Sequence, residues 1–272
     1  MRLLLIRHGE SVDNVAGLYA GSRDSSLTNH GVLQAKRLGA HIASRQTAIG
    51  PICHVFASNL QRAYQTADAI AEACRSTNDD STSSLPSGVI RVEELREKDF
   101  GLSEGKKFGA KDSDDGSETA ESMCIRINRF LDHSLSPTID QLAAENATVV
   151  VVAHGIILNV LLKALLLRYP SKSSIQRLTA ERTGSDYLAP WSNTGVLQAR
   201  LEVSDSISRD LASSKIIHMI VESTNNVDHL QGLKKTRGGI GSASYDSRQR
   251  TMESFFTSAS RKRKLDEDEN NQ

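Results

Sequence analysis

The chain has 272 residues, 38% of them hydrophobic, and its 33 lysines and arginines are balanced by 33 aspartates and glutamates. That length furnishes one substantial core plus additional segments, while the even charge excludes a global pull toward nucleic acid or an anionic membrane. Cys53, Cys74 and Cys124 lack the CxxC spacing of a zinc or redox motif and fit a reducing intracellular compartment. In chain order, RLLLI reads as a strand, GVLQAKRLGAHIA as an amphipathic helix, ICHVFA as a strand and LQRAYQTADAIAEAC as a helix. GVIRVE then reads as a strand, IRINRFLDHSL as a helix, TVVVVA as a strand, GIILNVLLKALLLRY as a helix, and GVLQARLEV and KIIHMIVE as two more strands. RLLLI, ICHVFA, GVIRVE and TVVVVA are apolar enough to be buried on both faces, so the pattern predicts an α/β fold with a mostly parallel sheet. The apolar run IILNVLLKALLL is interrupted by Asn159 and Lys163 and is too short to span a membrane, so a soluble protein is expected. STNDDSTSSLPSG and AKDSDDGSE are polar and acidic, as surface loops are. Beyond Leu233 apolar residues become too sparse to build a core, which divides the chain into a domain over 1–233 and a disordered tail over 234–272.

A parallel α/β sheet gathers its ligand beyond the carboxyl ends of the strands. Arg7, His8 and Gly9 follow the first strand and His154 follows TVVVVA, so both histidines are expected at one crevice. SNLQRAYQTA starts directly after ICHVFA and sets Arg62 in the first turns of a helix, where guanidinium and amide donors suit a phosphate. Arg7, Arg62 and His154 thus describe a phosphate clamp. LREKDFG brings Glu97 to the same rim, with Glu93, Glu94 and Glu104 close in sequence. Such a set suits phosphoryl transfer without a metal: a neutral imidazole attacks phosphorus, cations neutralise the oxygens, and an acid protonates the leaving alkoxide. The remaining histidines, His30, His41, His54, His133, His218 and His229, read as structural or surface residues.

The ordered series RHGES with Asn14, Asp24 with SLTNHGVLQA, SNLQRAYQTA, LREKDFGLSEG, VVAHG, NTGV and NNVDHL spans residues 1 to about 230. It resembles the histidine phosphatase superfamily, also called the phosphoglycerate-mutase-like family. The resemblance implies a three-layer fold, helices covering both faces of the sheet. It makes His8 the nucleophile and Arg7, Asn14, Arg62 and His154 the holders of the phosphoryl oxygens. Glu97, which alone among the nearby acids has the family's spacing to FG, becomes the proton donor. Gly21 in YAGSRD aligns with a backbone position near the substrate, although Ala20 and Ser22 differ from the mutases. No cofactor or metal is implied. Family mutases carry a long basic insertion between the acid segment and the second histidine, whereas here the interval from Gly105 to near Glu121 is short and acidic. Water is therefore expected to take the phosphoryl group, making the chain a phosphomonoesterase; a mutase or a fructose-bisphosphatase-like enzyme is the alternative.

The octet QRTMESFF resembles the PIP box, the motif that docks on the replication sliding clamp, proliferating cell nuclear antigen. The resemblance implies a plug of Met252, Phe255 and Phe256 on one helical turn, with Gln249 hydrogen-bonding beside it. RKRK, 261–264, reads as a nuclear localisation signal for an import receptor. Together they predict a nuclear protein that meets the clamp through its tail; a clamp-binding adaptor that keeps the phosphatase-like domain only for architecture is the competing reading.

Overall fold

The computed structural model describes residues 1–76, 88–109, 115–171, 189–205, 215–234 and 239–246. The chain runs β1 (Arg2–Arg7), α1 (Val12–Ala16), α2 (Asn29–Ser44), α3 (Gln46–Ile49), β2 (Ile52–Ser58), α4 (Gln61–Ser76) and β3 (Ile90–Val92). It continues through α5 (Ala120–Phe130), α6 (Ser136–Leu142), β4 (Thr148–Ala153), α7 (Gly155–Arg168), β5 (Val196–Asp205) and β6 (Lys215–Asn226). The strands form one sheet in the order β3-β2-β4-β1-β5-β6; β3, β2, β4 and β1 are mutually parallel, and β5 opposes its two neighbours.

The strand side chains alternate between two helical layers, which is why these runs are apolar throughout. Leu4, Ile6, Val150 and Val152 face Leu38 and Ile42 of α2 and Ala63, Ala67 and Ile70 of α4. Leu3, Leu5, Val149 and Val151 face Ile127 and Phe130 of α5 and Ile157, Leu161 and Leu165 of α7. Burying each of the larger aliphatic side chains contributes about 1.5–3 kcal/mol. TVVVVA, flanked by β1 and β2, is buried at every position, and this three-layer α/β/α arrangement is the one the sequence predicts. Among the described residues no helix is long and apolar enough to cross a membrane.

The structure departs from expectation in three places. GVIRVE, predicted to be buried on both faces, contributes only Ile90–Val92, with Ile90 and Arg91 exposed. Among the described residues it pairs with β2 alone, at the sheet's edge, and so lacks the second neighbour that would have covered it. The helix expected over IRINRFLDHSL is longer: α5 passes through a π-helical turn, Leu131–Leu135, directly into α6. Finally, a segment past the expected end of the domain lies against it. The Asn29 N–H donates to the Ala243 carbonyl at 3.0 Å, the Tyr245 N–H donates to the Leu27 carbonyl at 2.9 Å, and the Ser26 and Ser244 hydroxyls are 2.7 Å apart. Two of these are main-chain pairings, which composition does not reveal. Tyr245 then lines a groove of about 460 Å³ between α2 and α4. Most of STNDDSTSSLPSG, residues 110–114 of AKDSDDGSE, QRTMESFF and RKRK lie outside the described residues.

Candidate active site

The register of the two central strands creates the site. Arg7 pairs with Ala153 across parallel β1 and β4, and the His8 N–H extends the ladder by donating to the Ala153 carbonyl at 3.0 Å. The next residues, His8 and His154, therefore emerge side by side, their rings 5.0 Å apart between centroids. Both are buried, at 3% and 1% exposure. Glycine follows His8 because a Cβ at Gly9 would lie 2.7 Å from the Gly31 carbonyl oxygen, so the turn and the start of α2 approach as closely as backbone can. The Gly9 N–H donates to the Thr66 hydroxyl at 3.0 Å, tying the turn to α4.

Each imidazole has its tautomer fixed by a neighbour with one possible role. His8 Nδ1 lies 2.6 Å from the Gly9 carbonyl, which can only accept, so Nδ1 carries the proton and Nε2 keeps its lone pair. His154 Nδ1 lies 3.2 Å from Nε of Arg62, which can only donate, so the proton of the neutral His154 ring sits on Nε2. Burial, then the Arg62 charge, push both histidines well below the usual imidazole pKa, and Arg7 adds to this in each case. Both rings are consequently neutral at physiological pH: His8 offers a nucleophilic nitrogen and His154 a buried N–H donor that meets no acceptor among the described residues.

Arg62, at 1% exposure, is held on three sides. Besides its bond to His154 it donates from Nη1 to the Arg23 carbonyl at 2.7 Å and from Nη2 to the Gly21 carbonyl at 2.8 Å. Burial lowers its pKa to about 10, against the opposing charge of Glu97, so it stays cationic. Asp24 accepts from the Gln61 amide at 2.6 Å at the start of α4, one residue before Arg62. Arg7 donates from Nη1 to the Trp191 carbonyl at 2.7 Å and leaves a second buried donor, Nε, without a partner among the described residues. Two guanidinium cations, with Arg7 Nε and His154 Nε2–H meeting no acceptor among the described residues, are packed round the neutral His8 ring and form an anion site rather than a resting salt-bridge network.

Of the other expected residues, Asn14 sits in a capping box with Ser11, and its Oδ1 also accepts from the Asn193 amide at 3.1 Å. Its nitrogen is thereby the end left to donate. Glu97 follows β3 and lies across the start of α7, accepting from Ile156 and Ile157 N–H groups at 3.1 Å each and from Lys98 N–H at 2.9 Å. Gly21, expected near the substrate, enters through its backbone as the carbonyl that holds Arg62. Its φ of 52° and the 2.0 Å from its built Cβ to Glu104 Oε1 explain why no side chain stands there. Glu104 itself is engaged elsewhere, accepting from Ser22 N–H at 2.6 Å and Phe100 N–H at 3.2 Å.

Residues 3–185 match the Histidine phosphatase superfamily (branch 1). The chain belongs to this superfamily. A Schizosaccharomyces pombe protein named "Probable phosphatase" is 31% identical over an alignment of 262 residues that covers 93% of this chain and 78% of that one. A "Probable phosphoglycerate mutase" of Erwinia tasmaniensis is 30% identical over 183 residues, 61% of this chain and 75% of its own. Among solved structures, a phosphoserine phosphatase of Entamoeba histolytica in complex with phosphoserine is similar with a TM-score of 0.54 at 22% identity, over 84% of this chain and 98% of that one. A mycobacterial glucosyl-3-phosphoglycerate phosphatase gives 0.57 at 23% identity, over 82% and 98%. At these identities the structures share the fold.

Within this histidine phosphatase site, several residues had no role in the sequence reading. Asn193 bridges the His8 carbonyl and Asn14, both at 3.1 Å, and the Thr194 N–H donates to the Arg7 carbonyl at 3.0 Å. His229, expected to be structural or superficial, is buried against the Thr194 hydroxyl at 2.9 Å. Thr66 and Asn193 lie inside SNLQRAYQTA and NTGV, so the motifs contained them without assigning them; Trp191 acts through its carbonyl, for which no side-chain signal exists. Among the described residues no three histidines, cysteines or carboxylates are grouped to hold a metal ion.

Proposed function

We propose that this histidine phosphatase hydrolyses phosphate monoesters through a phosphohistidine on His8. The observation that carries the reading is the pair of opposite tautomers: a neutral Nε2 lone pair on His8 beside a neutral Nε2–H donor on His154, each imposed by a fixed partner. A substrate phosphate held by Arg7, Asn14, Arg62 and His154 presents phosphorus to His8. As the N–P bond forms, the ester P–O bond breaks and Glu97 passes its proton to the leaving oxygen. Water then attacks phosphorus, gives a proton to Glu97, and the P–N bond breaks to release inorganic phosphate. Charge on the equatorial oxygens is met by the guanidiniums without reorganisation.

Hydrolysis is preferred to transfer because the short interval after Gly105 offers little to shield a phosphohistidine from water. Similarity to a probable phosphoglycerate mutase supports the second reading, transfer to another hydroxyl. Incubation with p-nitrophenyl phosphate and with phosphoglycerates separates them: phosphate release, lost in His8→Ala, supports hydrolysis, and interconversion of phosphoglycerates without release overturns it. The tail adds a place to the activity. QRTMESFF supports docking on the sliding clamp and RKRK supports nuclear import, so the phosphatase would act in the nucleus near replicating DNA. If the cellular effect survives His8→Ala but requires Phe255 and Phe256, the adaptor reading holds instead.

A further inference from the structure

We propose that Arg126 and Glu118 are positioning residues that clasp the acid-bearing segment and set Glu97 at the leaving-group side of the site. The inference rests on the reading of Glu97 as the proton donor and goes beyond it, since neither residue is in the sequence motifs or touches the phosphate site's donors.

Residues 94–99 follow the short edge strand β3 and have almost no regular structure to hold them; only a single tight turn, Glu93–Leu95, precedes Glu97. The Arg126 guanidinium, projecting from α5, takes over that work. Its Nη1 donates to the carbonyls of Glu94 at 2.5 Å and Arg96 at 2.6 Å, and Nη2 donates to the carbonyl of Glu97 at 3.3 Å. Three carbonyls within four residues on one planar fork fix the path of the backbone, and with it the direction in which residue 97 leaves that backbone. Glu118 fixes the fork in turn: its carboxylate accepts from Arg126 Nε at 2.7 Å and Nη2 at 2.9 Å. It also grips the far side of the segment, accepting from the Asp99 N–H at 3.3 Å while the Glu118 N–H donates to the Asp99 carbonyl at 2.8 Å.

The pair is well shielded, with 16% and 12% of the two side chains exposed, so water competes weakly for these bonds. Burial works to raise the Glu118 pKa, but the Arg126 bonds and charge, together with the bonds from the Asp99 N–H and the Ser122 hydroxyl, leave the carboxyl below its ordinary value, consistent with a committed ion pair. The outcome of the clasp is visible at the other end of Glu97. Its carboxylate reaches the first amides of α7, two and three residues after His154, and so is anchored beside the clamp rather than left in solvent. Replacing the fork with a single ammonium, or the carboxylate with an amide, should let the segment drift while His8, Arg7, Arg62 and His154 keep their own partners.

The test uses the full-length protein and two aryl esters, p-nitrophenyl phosphate, whose leaving group needs little protonation, and phenyl phosphate, whose leaving group needs more. The ratio of kcat/KM for the two reports proton donation, because both esters meet the same nucleophile and clamp. Glu97→Gln is expected to lower phenyl phosphate turnover about 100-fold more than p-nitrophenyl phosphate turnover, within the range for a lost general acid. Arg126→Lys is expected to shift the ratio in the same direction by about tenfold, and Glu118→Gln by a smaller factor, with KM for p-nitrophenyl phosphate changed less than threefold. Glu118→Gln keeps the side chain's shape and carries the test should Arg126→Lys fail to fold. Equal losses on both esters, or none, in the clasp variants while Glu97→Gln discriminates would overturn the clasp. Lack of discrimination in Glu97→Gln itself would instead remove the acid assignment, and the clasp's function with it.

Discussion

Replacing Arg62 by lysine keeps the charge and removes the fork, so it isolates what the guanidinium geometry contributes. In the native site three acceptors, the Gly21 carbonyl, the Arg23 carbonyl and His154 Nδ1, are satisfied at 2.8, 2.7 and 3.2 Å from three different nitrogens. A lysine ammonium is a single point on a flexible stem and, in a site this enclosed, satisfies one of the three. Two buried acceptors left unsatisfied at about 1–3 kcal/mol each make R62K less stable by about 2–6 kcal/mol. The catalytic loss is separate: the His154 tautomer is no longer imposed, and removing one preorganised donor to a developing oxyanion costs about 100- to 1000-fold in kcat. Urea unfolding measures the first quantity and kcat/KM on p-nitrophenyl phosphate the second. Nitrogen NMR of His154 in wild type should show a neutral Nε2–H ring that R62K converts to a mixture. Activity within threefold of wild type, with an unchanged unfolding midpoint, would refute the claim that this fork organises the site.

Three further outcomes follow from the same geometry. Gly21→Ala sets a Cβ 2.0 Å from Glu104 Oε1 at a φ of 52°, so the variant should lose at least about 1–2 kcal/mol of stability and at least tenfold in kcat/KM, as Arg62 loses its seat; native-like values for both would contradict it. His8 and His154 have pKa values depressed well below 6.5 and His229 one of about 4, so the unfolded chain binds more protons than the native one below pH 6.5. These groups make no difference above that pH and destabilise as pH falls through the window, with a slope of up to about 1.4 kcal/mol per pH unit for each; a flat urea midpoint between pH 6.5 and 5 would argue against buried neutral rings. Combined F255A and F256A should abolish calorimetric binding of the full-length chain to the sliding clamp, and undiminished heat would exclude the tail motif.

The parts of the site that announce themselves in the sequence are those where a side chain and its neighbours are contiguous. RHG, VVAHG and SNLQRAYQTA each carry a strand end or helix start together with the reactive group, so His8, His154 and Arg62 can be read and their meeting follows from parallel pairing. GVIRVE misleads because an edge strand and a central strand share composition and differ only in what lies beside them. Arg126, Trp191 and residues 239–246 act through backbone carbonyls or amides of distant segments, and backbone groups are alike at every position, leaving no trace in residue type. Gly21 lies between these cases: a glycine marks an unusual backbone, yet only coordinates reveal that its carbonyl serves Arg62.

The strip at residues 26–29 is shared by two neighbours. On one side the Val12 N–H donates to the Ser26 carbonyl at 3.1 Å and the Thr28 N–H to the Glu10 carbonyl at 2.9 Å, seating the turn that bears His8. On the other, Leu27 and Asn29 pair with Tyr245 and Ala243, four residues ahead of Gln249. Peeling away residues 243–245 would strip partners from an amide and a carbonyl on the outer edge of a strip whose inner edge supports the turn at His8.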